Sequence, residues 1–153
     1  MSILSRPRGA LVAVVLTSAV VSATCTTRSA GNRSSGAMGG MAPVLSVERF
    51  LQAANAKDFD AMARLFGTVD GPVEGDPHEI EFRMATIAEI LAHEDYEIVS
   101  EERAPGRRYP TNRIGVNITK NGEVIRDVPF MVIQTDDGGW LIEEIDLEEI
   151  TGR

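Results

Sequence analysis

Asp146 and Tyr96 are the residues of this sequence best suited to moving a proton at carbon. A carboxylate whose pKa is raised inside an apolar pocket can take a proton beside a carbonyl, while a phenol hydroxyl holds the enolate that forms. Both residues fall in β-patterned segments, so an isomerase-like or hydrolytic site would need a fold that turns those segments toward one cavity. Without that cavity, Tyr96 reads as an anchor at a strand edge.

Other polar groups carry weaker chemistry. His78 and His93 are fifteen residues apart on one helical pattern, about 22 Å at the α-helical rise and too far to share one metal. His93 falls near the end of that pattern, where positive charge complements the helix dipole. Glu143, Glu144, Asp146, Glu148 and Glu149 offer oxygens of the kind calcium takes. On a strand, however, alternation sets Glu144 and Asp146 on one face and Glu143 on the other with Leu141 and Ile145, so no metal is expected. Arg103, Arg107, Arg108 and Arg113 surround a Pro/Gly loop, which either receives an acidic ligand or partner or lies solvated. The chain has no P-loop, no Gly-x-Ser-x-Gly elbow, no His-Glu-x-x-His helix and no cysteine pair, and no cofactor is expected. The large side chains that would line a cavity are Phe50, Met62, Phe66, Phe82, Tyr96, Phe130 and Trp140. Trp140 is the foremost ligand contact among them, because it brings apolar area and one donor to the start of a strand.

The elements that must position these residues follow from periodicity. Val47, Phe50, Leu51 and Ala54 recur at helical spacing after Ser46, a good N-cap, and predict a first helix ending near Ala56. Asp58 then caps a second helix through Phe59, Met62, Ala63 and Phe66, which Gly67 stops. Thr68 to Pro77 carries two Pro and two Gly and reads as a loop. A third helix follows from His78 to about His93, with Ile80, Met84, Ile87 and Leu91 as its buried stripe. Beyond Asp95 the pattern becomes alternating, giving four strands at Tyr96–Glu101, Arg113–Thr119, Val124–Thr135 and Trp140–Leu147. Asn121-Gly122 is a strong hairpin signal, and the broken alternation at Arg126 and Asp127 predicts a bulge. The fold class is therefore α+β: a helical hairpin and a third helix packed on a curved antiparallel sheet of four strands.

This order resembles the nuclear transport factor 2-like superfamily, the cone-shaped α+β fold that also houses ketosteroid isomerase-like enzymes. The resemblance rests on Phe50-Leu51-Gln52-Ala53-Ala54-Asn55-Ala56-Lys57-Asp58, continuing to Ala61, Leu65 and Phe66, and it spans about residues 46 to 147. It implies a concave sheet with a pocket between sheet and helices. It also implies a short hairpin between the second and third helices, for which Thr68 to Pro77 is barely long enough. The superfamily hosts enzymes, binders and dimerisation modules alike, so the fold leaves function open.

Residues 1–25 read as an export segment. Arg6 and Arg8 precede an apolar run from Gly9 to Val21, too short to span a bilayer and of signal-peptide length. Cys25, the lone cysteine, follows Val21-Ser22-Ala23-Thr24, which resembles a lipobox with Ser22 and Thr24 as departures from its usual residues. Lipidation at Cys25 is the expectation, and cleavage after Ala23 to give a soluble exported domain is the alternative. Residues 26–45, rich in Ser and Gly, read as a disordered tether, and residues 46–150 as the folded domain.

The chain of 153 residues carries a net charge of -8, and loss of Arg6 and Arg8 takes the mature chain to about -10. That excludes nucleic acid as a natural partner and leaves a lipid anchor as the route to a membrane. The expected function is a non-catalytic envelope module that binds a small apolar ligand or a protein partner through the concave sheet, with a homodimer among the partners. The alternatives are an enzyme using an acidic residue in the cone pocket and a purely structural lipoprotein.

Overall fold

The structure, a computed structural model, describes residues 42–152. The export segment, Cys25 and the tether up to residue 41 lie outside the described residues.

The first helix, α1, spans Pro43–Ala56. Proline presets φ and lacks an N–H that a first turn cannot use, so the helix opens at Pro43 rather than after Ser46. Ser46 is thus not a cap. It is fully buried inside α1, and its Oγ donates to the Trp140 carbonyl at 2.9 Å, tying the helix to the last strand of the sheet. Ser46→Ala removes that buried bond and is expected to lower unfolding free energy by about 1–2 kcal/mol, visible as a lower denaturant midpoint at unchanged slope.

Lys57 ends α1 in the left-handed region at φ 55°, and the Asp58 carboxylate accepts the Ala61 N–H at 2.9 Å to open α2 (Phe59–Leu65). Gly67 does not stop this helix as a left-handed residue. It belongs to a short strand, β1 (Gly67–Thr68), antiparallel to β2 (Gly71–Pro72). A Cβ on Gly67 would strike the Gly71 carbonyl, which is why glycine is needed for the two to close. The segment read as a bare loop therefore holds the short hairpin. Asp76 then caps α3 (Pro77–Leu91) by accepting the His78 and Glu79 N–H groups at 2.9 and 3.2 Å. At its other end, Lys120 Nζ donates to the carbonyls of Glu89 and Ile90 at 3.3 and 2.8 Å.

Four strands follow as a meander: β3 (Asp95–Arg103), β4 (Thr111–Lys120), β5 (Glu123–Gln134) and β6 (Trp140–Ile145), each antiparallel to the next. Asn121 and Gly122 take φ of 52° and 76°, as a tight turn between β4 and β5 requires. The bulge sits where broken alternation predicts it: Val116 pairs Val128 and Ile118 pairs Ile125, leaving Arg126 and Asp127 opposite Asn117. Two further irregularities, at Ile98/Ser100 and at Met131/Val132, were not signalled by alternation. A short last helix, α4 (Glu148–Thr151), closes the domain.

One sheet face carries Ile114, Val116, Ile118, Val128, Phe130, Val132 and Ile142, all fully buried against Val47, Phe50 and Leu51 of α1. α1 contacts β4, β5 and β6 on one side and α2 and α3 on the other, so it is the central element of the core. Helices followed by a four-stranded antiparallel sheet make this an α+β fold consistent with the nuclear transport factor 2-like cone. Among the described residues no helix is long and apolar enough to cross a membrane.

Candidate functional site

The proton-transfer pair is not brought together. Tyr96 lies on β3 and Asp146 just past β6, at opposite edges of the four-stranded sheet. Three inter-strand spacings separate those edges, about 14 Å. Asp146 is exposed, and its carboxylate accepts the Glu148 N–H at 3.1 Å, which starts α4. The Tyr96 ring stands edge-on to His93, with centroids 5.5 Å apart, and its hydroxyl lies 3.5 Å from Gln52 Nε2. Each residue is occupied with local structure.

The aromatic and apolar candidates divide in the same physical way. Phe50, Met62 and Phe130 are fully buried and packed into the core. Phe66, Tyr96 and Trp140 are half-buried against it, Phe66 with its ring centroid 6.2 Å from that of Phe50. Phe82 is the exception, 76% exposed on the outer side of α3. The signal for this was present in the sequence. Residues Ile80 and Met84 of the buried stripe are two positions away on either side of Phe82, about 200° around a helix, which turns Phe82 outward.

The charged clusters resolve in part into internal pairs, although Arg103 forms no ion pair among the described residues. Arg107 reaches Glu143 at 3.3 Å and Glu144 at 3.8 Å, Arg108 lies 5.4 Å from the centroid of the Tyr109 ring, and Arg113 meets Asp127 at 2.8 Å. The irregularity at Met131/Val132 pairs Glu144 with Met131 and Ile142 with Val132, which leaves Glu143 as the extra residue. Strict alternation therefore does not separate Glu143 from Glu144, and one guanidinium serves both. Glu148 and Glu149 occupy the first turn of α4, where negative charge complements the dipole. Past the end of α3, His93 Nδ1 lies 2.7 Å from the Leu91 carbonyl, and its backbone is clasped by the Asn55 side chain.

On the sheet face away from the helices, Arg113 donates to both carboxylate oxygens of Asp127. That bond holds the Asp127 carboxyl below its usual range and raises Arg113. Because the folded pKa is the lower one, the pair stabilises the fold above the unfolded carboxyl value near 4, and the contribution is lost as pH falls below it. Asp127→Asn is expected to flatten the acid limb of the stability curve below pH ~4 while leaving its neutral-pH shape intact. Urea titrations across that range provide the check.

Three concavities stand out, and none of them is lined by Phe50, Met62 or Phe130. One, of about 370 Å³, lies at the β1–β2 hairpin among Phe66, Gly67, Asp70, Glu74, Arg83 and Glu143. A second, of about 340 Å³, flanks α2 beside Phe59, Arg64, Val73 and Ile80. The third and most apolar is a groove of about 560 Å³ on the outer side of α3, formed by His78, Glu79, Phe82, Arg83, Thr86 and Ile87. Arg83 borders both this groove and the hairpin cleft. Among the described residues, neither Glu79 nor Arg83 forms an ion pair. This α3 groove is the candidate site.

No protein-family model matches the chain, and no curated protein matches it. Among solved structures, the chain is similar to an NTF2-like protein of unknown function from Cytophaga hutchinsonii ATCC 33406, at 14% identity, covering 72% of this chain and 96% of that one with a TM-score of 0.35.

Proposed function

We propose that this domain is a non-catalytic module of the cell envelope that binds a protein partner through the outer groove of α3. The observation that carries the reading is Phe82, a large apolar side chain 76% exposed within a 560 Å³ groove rimmed by Glu79 and Arg83. Exposing an aromatic ring to water costs the fold its burial, and an apolar centre with a charged rim is the anatomy of a protein interface. A small apolar ligand fits less well, because such ligands bury most of their surface in a cleft or cavity. Here the interior between helices and sheet is filled by Phe50, Met62 and Phe130.

Export rests on Arg6, Arg8 and the apolar run from Gly9 to Val21, and anchoring rests on Cys25. Mass spectrometry of the mature N-terminus discriminates a diacylated Cys25 from a free chain starting at Thr24. For the binding role, photo-cross-linking in intact cells from a probe placed at Thr86 should trap a protein adduct that Phe82→Asp abolishes. An adduct pattern indifferent to Phe82→Asp removes this groove as the contact.

A further inference from the structure

We infer that the partner received by the α3 groove is a second copy of this chain, docked as an antiparallel, twofold pair of α3 helices; this rests on the protein-binding reading above. The argument is the arrangement of charge around Phe82. Glu79 and Arg83 are one helical turn apart on the groove, and neither is paired among the described residues, although their spacing would allow an ion pair within the helix.

In a twofold antiparallel contact, residue i meets residue j and j meets i. A pair of helices centred at the level of Glu81 therefore brings Glu79 opposite Arg83 of the partner subunit, twice. A helical side chain leans toward the N-terminus and covers the surface about one position before its own Cα. Glu79 and Arg83 share that lean, so the Phe82 rings meet within one residue rise, ~1.5 Å, of the axis that pairs the two charges. Apolar contact at the centre and two opposite-charge pairs on the same flank come from one operation. Glu79 and Arg83 also sum to zero, so two copies of a chain whose net charge is -8 add no net charge at those positions, while exposed Glu81, on the opposite flank, lies level with its own copy.

Sedimentation of the purified protein over a concentration series provides the test. Dimer should form, and Phe82→Ser should abolish it. Glu79→Arg or Arg83→Glu alone should weaken it about tenfold, since each turns two attractions into two repulsions. The double exchange Glu79→Arg/Arg83→Glu should restore dimerisation to within about threefold of the natural chain. Failure of the double exchange to rescue overturns the twofold geometry. A monomer at every concentration whose Phe82-dependent adducts contain a different protein overturns self-pairing and leaves the protein-binding reading standing. Loss of both dimer and Phe82-dependent adducts removes that reading as well.

Discussion

Phe130→Ala is expected to lower unfolding free energy by about 3–5 kcal/mol, whereas Phe82→Ala in dilute protein should change it by less than about 0.5 kcal/mol. Both residues are phenylalanines on regular elements. Phe130 is fully buried on β5, paired across strands with Ile114 and Ile145 and packed into the same core as Phe50 and Leu51. Truncating it removes the transfer energy of a ring and leaves a cavity that a close-packed core cannot fully close. Phe82 is 76% exposed, so its truncation opens no interior space. Denaturant unfolding of the two variants measures the contrast directly. Equal losses would mean that the α3 groove is part of the stabilising core rather than a surface held ready for a partner.

The second large effect is expected at Gly115. It lies in the middle of β4, with Ser100 on one side and Pro129 on the other. A Cβ built there would run into Asp127 Oδ1 and Ser100 Oγ. Asp127 does not yield freely, being held at a bulge with φ 54° and bonded to Arg113, while the Ser100 hydroxyl, buried with no hydrogen-bond partner among the described residues, has to rotate away from the added carbon. Gly115→Val is expected to cost about 2–3 kcal/mol by overpacking this face and to break the Arg113–Asp127 pair. Asp127→Gly in the same chain should recover part of the loss, since glycine accepts the positive φ and removes the carboxylate that the new methyl groups meet. If the double variant is no more stable than Gly115→Val alone, Asp127 is not the obstacle.

How much of this could be read from the chain depended on whether a residue answers to its neighbours in sequence or to distant ones. The buried stripes of α1 and α3, the Asp58 cap, the Asn121-Gly122 turn and the bulge at Arg126 and Asp127 are local patterns, and the structure carries all of them. Ser46 was misread because its type and position suit a cap, while its actual partner is the Trp140 carbonyl, 94 positions away in the chain. Proline at the first helical position was the stronger signal. Gly67 was misread for a similar reason, since its need for glycine arises from the close approach of Gly71 rather than from a helix end.

The site was the least legible part. Pairing Asp146 with Tyr96 required a strand order in which their segments adjoin, and a plain meander of four strands sends them to opposite edges. The outward turn of Phe82 was accessible by counting around the helix, and only its size and apolarity suggested a pocket. That Arg107 answers both Glu143 and Glu144 depends on one extra residue in β6, which no alternation pattern announces.

The irregularity at Val99 has a bearing on how the chain behaves at high local concentration. β3 is an outer strand of the sheet, and its backbone would template the addition of another strand if it were flat and apolar. Instead the register slips between Ile98 and Ser100, and Glu97, Glu101 and Glu102 stand exposed along the same strand. At the other edge, Phe66 makes a parallel bridge to Ile142 and takes up part of the free side of β6. One border is kinked and negatively charged and the other partly covered, so copies of this domain crowded side by side are guarded against growing into fibrils.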